Sequence, residues 1–191
     1  NFLKTKAKLI DKRLDELIPL DHKYLSTFYK ATRYSLLSNG KRIRPSLVLA
    51  TVESFNIDST IAIDPAVAVE LIHSYSLIHD DMPCMDDDDY RRGKKSLHVA
   101  YDESTALLCG DFLLTLAFDV LANSPNIDAT KKINLIKILT KYSGSKEGMI
   151  GGQYVDLSSE KQKIRIEKLK YMHINKTASL FSASIEMGAI L

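Results

Sequence analysis

The sequence predicts an all-α protein. Apolar residues recur at helical spacing along most of its length. No run alternates apolar and polar residues as a half-buried strand does, and chain breakers are few, with 8 Gly and 5 Pro among 191 residues. That length supports one domain with a sizeable buried core.

The elements follow in order. Apolar positions 3, 7, 10, 14 and 17 draw a helical stripe over Phe2 to Leu17, which Pro19 ends. Asp21 is placed to cap a second helix running to Ser38, with Leu25, Phe28, Leu36 and Leu37 as core candidates and Asn39-Gly40 as the stop. Pro45 suits the first turn of a third helix ending at Phe55. Pro65 opens a fourth, rich in Ala, Val, Ile and Leu, which closes near Asp81 because Pro83 disfavours helix at Met82. A polar loop covers Pro83 to about Tyr101, and Glu103 to Ala122 reads as a long helix buried nearly all round. After a turn at Asn123 to Asp128, apolar positions 133, 136, 139 and 142 mark another helix. Gly144, Gly148, Gly151 and Gly152 punctuate the chain before a last helical pattern from Ile164.

A net charge of +2, from 26 basic and 24 acidic residues, gives no bulk field for nucleic acid or an acidic membrane. Cys84 and Cys109 have no framework spacing and fit a reducing compartment. No signal peptide is recognisable. The most apolar stretch, Leu107 to Ala122, is interrupted by Asp111 and Asp119 and falls short of a bilayer span. A soluble, cytoplasmic protein without a transmembrane segment is the expectation. The chain starts at Asn1 and stops at Leu191 inside an apolar helical pattern, so both ends read as the limits of a fragment.

What charge there is clusters. Asp86-Asp87-Asp88-Asp89 is followed by Arg91, Arg92, Lys94 and Lys95. Such a run is ordinarily a solvated loop, but its surroundings point to chemistry. On a helix, Val69, His73, Ser76 and Asp80 share one face that changes from apolar to charged. Asp80 and Asp86 would lie on different faces of an unbroken helix; Pro83 lets the chain leave the helix and swing Asp86 back beside Asp80. Carboxylates from two points, with no thiolate and with arginines nearby, suit Mg²⁺ bound together with a diphosphate, and not zinc. Arg91 and Arg92 offer planar forks for phosphate oxygens. Lys41 and Arg44 form a second basic group just before a helix N-terminus, so two anionic groups are expected.

With these residues in place, the sequence resembles the trans-isoprenyl diphosphate synthases. Asp80-Asp81, four residues, Asp86 and then Arg91-Arg92-Gly93 are similar to that family's first aspartate-rich motif, in its form with two extra residues. Gly40-Lys41-Arg42-Ile43-Arg44-Pro45, the helix from Glu70 to Asp81, Gly110-Asp111, Gly152-Gln153-Tyr154-Val155-Asp156-Leu157 and Lys176-Thr177-Ala178 also have counterparts in order, so the resemblance covers nearly the whole chain. It implies an antiparallel helical bundle around a central cavity, a homodimer, Mg²⁺, and small diphosphate substrates. The implied reaction is condensation of isopentenyl diphosphate with dimethylallyl or geranyl diphosphate. In roles it implies Asp80 and Asp86 as metal ligands, with Asp81 as a supporting acceptor. Arg91 holds the allylic diphosphate; Lys41, Arg44, His73 and Arg92 hold isopentenyl diphosphate; Lys176, Thr177 and Gln153 face the allylic group. Tyr75, beside Ser76 one turn below Asp80, is a bulky stop that favours a farnesyl product.

Three departures stand out. Lys95 replaces a usual Pro, and Asp102 replaces a usual Gly, both on the loop over the site. The family's second aspartate-rich motif, C-terminal to Lys176-Thr177, is missing, so residues 1–191 read as a single incomplete domain, inactive or nearly so by itself. Geranylgeranyl diphosphate synthase and a non-catalytic partner subunit of such a synthase are the alternatives. A class I terpene cyclase is disfavoured by Lys41, Arg44 and Arg92.

Overall fold

Ile10 and Leu14 sit one turn apart on α1 (Phe2–Leu17), and both are fully buried. The stripe read from the sequence forms a helix because its apolar face has a surface to pack on; Leu3, at the stripe's start, stays exposed. The computed structural model describes residues 2–191. The second helix, α2 (Ser26–Leu36), starts later than expected. Asp21 does not cap it: its Oδ1 accepts from the adjacent His22 N–H at 2.8 Å, and the N-cap position falls to Leu25, which is exposed and offers no side-chain acceptor.

Next come α3 (Ile43–Ser54) and α4 (Ile63–Asp80), the latter preceded by a 3₁₀ turn at Ser59–Ala62 that Asp58 caps. Pro45 and Pro65 each stand third in their helix, within the first turn, where a missing N–H leaves no helical bond unmade. From Ala66 to Val69, and again at Leu71 and Ile72, α4 is fully buried, which explains a sequence without an apolar stripe. Ion pairs lock α1 down: Arg13 Nε donates to Asp64 at 2.9 Å, Arg42 Nε to Asp11 at 2.8 Å, and Lys6 pairs with Glu53.

The polar loop holds more structure than the sequence indicated. β1 (Tyr90–Arg91) and β2 (Lys94–Lys95) form an antiparallel ribbon, followed by a helical turn, α5 (Leu97–Ala100). Arg92 and Gly93 join the strands with φ of +54° and +79°, the double left-handed turn that matches strand twist. Asp102 is the N-cap of α6 (Glu103–Asn123), accepting from Thr105 N–H at 2.7 Å, so this departure from the family pattern has a local structural use.

α6 is not buried all round. Ala106, Cys109, Leu113, Ala117 and Leu121 are fully buried, but Leu107 is 45% and Leu108 56% exposed. By length and hydropathy α6 and the run Ser59–Asp80 could cross a membrane, which the shorter window read from the sequence had ruled out for α6; here the two helices pack against each other. α7 (Ala129–Ser143), capped by Asp128, buries Leu135, Ile138 and Leu139 and leaves Ile133 exposed. The final pattern is three pieces rather than one helix: after α8 (Met149–Leu157) come α9 (Ile166–His173), a five-residue π turn at Ile174–Ala178, and α10 (Ser179–Ala189), which packs on α3 and α7. The result is the expected all-α antiparallel bundle.

Candidate active site

The turn after α4 does what Pro83 allows. Asp86 N–H donates to Asp80 C=O at 2.9 Å, and Asp88 N–H donates to Asp81 C=O at 3.2 Å, so the chain folds back on the helix end. Asp80 and Asp86 are thereby brought together. Burial, with Asp86 and Asp81 adding repulsion, pushes the Asp80 pKa up to about 6 against the pull of Lys176 and Arg91. The half-buried Asp80 carboxylate, close enough to Asp86 for their charges to repel, is a group that gains from a cation. Among the described residues no group of three or more His, Cys, Asp or Glu can hold a metal unaided. Two carboxylates fit Mg²⁺ as part of a shell completed by water and phosphate oxygens.

Asp81 is a supporting acceptor, and its donor is Arg91: Nε at 2.7 Å, with Nη2 also engaged and reaching Asp88 at 3.3 Å. Arg92, one residue on, turns the other way and donates to Asn39 C=O at 3.3 Å. The two arginines therefore point to different places.

Arg92 faces a cavity of about 660 Å³ that Lys41, Arg44 and His73 also line, so the four residues grouped by the sequence meet. Arg44 stacks on Phe181 at 4.6 Å, while its buried Nε has no partner. Burial, and after it the nearby arginines, push the His73 pKa down to about 3. His73 is thus neutral, and its Nε2 accepts from Arg44 Nη1 at 3.2 Å.

A second cavity of about 620 Å³ lies on the other side of Arg44 and His73, which line both. Its walls include Tyr75, Ser76, Asp80, Gln153, Lys176 and Thr177. The shared helix face of His73, Ser76 and Asp80 is as read from the sequence. Gln153 is 8% exposed, and neither its Nε2 nor its Oε1 has a partner. The Tyr75 hydroxyl is likewise buried and unpartnered, and burial, then Asp80, push its pKa up to about 12. Lys176 and Thr177 sit on the π turn, a distortion frequent at functional sites. A Cβ on Gly152 would meet Lys176 N at 2.1 Å, so α8 touches this turn through bare backbone.

Two residues escaped the sequence reading. Asp156, inside the Gly152–Leu157 motif, holds Lys176 Nζ at 2.5 Å; its three-residue offset from Gln153 on one helix was the available signal. Arg42, between Lys41 and Arg44, is buried and bonded to Glu70 and Asp11; nothing in Lys41-Arg42-Ile43-Arg44 says which basic residue turns inward.

Helices around a cavity with carboxylates at one rim, and guanidinium groups on a second cavity behind it, define the isoprenoid synthase class. The comparisons agree. The polyprenyl synthetase pattern matches residues 25–191. The chain is 42% identical, over 100% of its own length and 52% of the other, to the heterodimeric geranylgeranyl pyrophosphate synthase large subunit 1 of Arabidopsis thaliana. It is 45% identical to the farnesyl diphosphate synthase of Haemophilus influenzae, covering 84% of this chain and 54% of that protein. Among solved structures, an FPP/GFPP synthase from Zymomonas mobilis superimposes with a TM-score of 0.93 at 41% identity, covering 98% of this chain and 68% of the other. The chain belongs to the polyprenyl synthetase family, the trans-isoprenyl diphosphate synthases. It spans about half the length of the curated relatives it matches.

Proposed function

We propose that the protein is a short-chain prenyltransferase that condenses isopentenyl diphosphate with dimethylallyl or geranyl diphosphate to give farnesyl diphosphate. The observation that carries this reading is the pair of cavities sharing one wall, Arg44 and His73. Each is furnished for one substrate. The basic cavity offers Lys41, Arg44 and Arg92 to a diphosphate. The apolar one offers length for a hydrocarbon chain below Asp80, with Lys176 and Arg91 near its charged rim.

The hard step is cleavage of the allylic carbon–oxygen bond, which leaves charge on the departing diphosphate. Asp80 and Asp86 would hold Mg²⁺, which would supply charge neutralisation for that diphosphate. Arg91 and Lys176 act in the same sense, and groups fixed before reaction stabilise the developing charge at little reorganisation cost. Gln153 Oε1, with no protein partner, is free to face the allylic cation, as is the Thr177 hydroxyl. Apolar walls keep water from quenching it. The isopentenyl double bond attacks the cation, and the proton lost in forming the new double bond goes to the released diphosphate.

Tyr75 is the proposed stop for chain growth, which selects the farnesyl product. Relatives named for both farnesyl and geranylgeranyl products make the longer product the second reading. Exposed Leu107 and Leu108 on α6 suit a subunit contact in the proposed homodimer. The test is isopentenyl transfer with each allylic substrate, with and without Mg²⁺, and chromatography of the products. In the full-length enzyme, Mg²⁺-dependent transfer ending at fifteen carbons supports the reading, and no transfer with either substrate refutes it.

A further inference from the structure

Arg42 stands between two residues assigned to the basic cavity, yet its side chain turns into the protein and is 4% exposed. Its donors are spent on four elements. Nε donates to Asp11 on α1 at 2.8 Å, and Nη1 to Glu70 on α4 at 2.7 Å. Nη2 donates to the carbonyls of Leu36, at the end of α2, and Ser38, in the turn beyond it, at 2.9 and 3.2 Å. Burial opposes the Arg42 charge, but Glu70 and Asp11 outweigh it and hold its pKa above the ordinary value.

The backbone at Arg42 is left-handed, with φ of +47°. A residue with a Cβ holds that conformation only where its surroundings impose it. The four anchored bonds impose it here. Lys41 precedes this residue, and Arg44 follows two positions later on α3, so both basic groups start from a backbone that the Arg42 guanidinium fixes. The same group bounds Arg92. A Cβ on Gly40 would lie 2.9 Å from Arg42 Nη1 and 2.7 Å from Arg92 Nη1, so both guanidiniums close on one bare α-carbon. Asp11 and Glu70 also line the basic cavity. They occupy the Arg42 charge and leave Lys41, Arg44 and Arg92 to an incoming anion.

We propose that Arg42 is a positioning residue for the basic cavity, and that α1 belongs to the site because Asp11 orients Arg42. α1 lies outside the residues 25–191 matched by the family pattern, so this part of the site is not contained in that match. The inference rests on the reading that the cavity takes isopentenyl diphosphate.

The experiment, in the full-length enzyme, compares wild type with Asp11→Ala and Arg42→Lys, measuring KM for each substrate, kcat and Tm. The Asp11 side chain is half exposed, so its loss spares the fold. Arg42→Lys keeps a charge against Glu70 but cannot fork to four acceptors. Asp11→Ala is expected to raise the isopentenyl diphosphate KM about 2–5-fold, the range of one partly exposed ion pair. Arg42→Lys raises it by about tenfold or more, and in both variants the allylic KM stays within about twofold. A purely structural role would lower Tm and move both KM values together, and that result overturns the proposal. So does an unchanged isopentenyl KM in either variant when wild type is active. A wild type with no saturable dependence on isopentenyl diphosphate overturns the functional reading as well, which separates the two failures.

Discussion

Replacing Gln153 with Met should make the protein more stable and less active. The Gln153 side chain is 8% exposed, and both its polar atoms lack partners. A buried donor or acceptor without a partner costs about 1–3 kcal/mol. Met has nearly the same length and adds no polar atom, so the gain on substitution is about 1–2 kcal/mol once imperfect packing is set against two removed penalties. In a chain of this size that raises Tm by about 2–8 °C. If the carbonyl oxygen faces the allylic cation, its loss removes an interaction made mainly in the transition state, and kcat falls about 10–100-fold. Scanning calorimetry of the ligand-free protein and single-turnover isopentenyl transfer read the two effects. A less stable Met variant, or full activity with raised Tm, would refute the assignment of Gln153 as a group kept unsatisfied for the substrate.

Other predictions concern packing, pH and product. Gly152→Ala drives a Cβ into Lys176 N, so it should cost about 1–3 kcal/mol by urea unfolding and lower kcat by shifting the π turn. His73 holds its pKa near 3 in the fold, against about 6.5 unfolded. Below pH 6.5 the unfolded chain takes up a proton that the folded protein refuses. Stability should therefore fall by about 1.4 kcal/mol per pH unit from this group as pH drops from 6.5 towards 3. His73→Gln should flatten that part of the profile, and an unchanged slope would mean that His73 is protonated in the fold. Asp80 has the opposite sign: with its pKa raised to about 6, the fold keeps a proton that the unfolded chain releases above about 3.8, so its contribution falls as pH rises through that window. Asp80→Asn should be more stable than wild type at pH 8 and no more stable near pH 3, while losing Mg²⁺-dependent transfer. Tyr75→Ala should lengthen the product chain, read by chromatography of the hydrolysed products; unchanged length would remove Tyr75 as the stop.

The fold was legible because long helices carry a strong apolar periodicity. The acidic turn was legible because Pro83 constrains the backbone whatever surrounds it. Less visible were features decided by tertiary contact. Asp21 has the right residue type for a cap, but its own neighbour claims the carboxylate. α6 is apolar on several faces, and sequence cannot say which face α4 covers, so the exposure of Leu107 and Leu108 came only from the structure. Strands of two residues are too short to alternate, and the ribbon at Tyr90–Lys95 turns through Arg-Gly, a weak hairpin signal. In the site, the family motifs named residues that line two cavities, Arg92 on the basic one, while Arg91 lines neither and bonds to Asp81. Periodicity could not reveal that Arg42 points inward, because that depends on charged partners far away in sequence.

The most direct test is a crystal structure of the protein with Mn²⁺ and inorganic pyrophosphate, with the cation located by anomalous scattering. An anomalous peak between the Asp80 and Asp86 carboxylates, with pyrophosphate oxygens completing its shell, is the predicted result. Pyrophosphate bound with no cation between those carboxylates, or carboxylates turned away from each other, would contradict it.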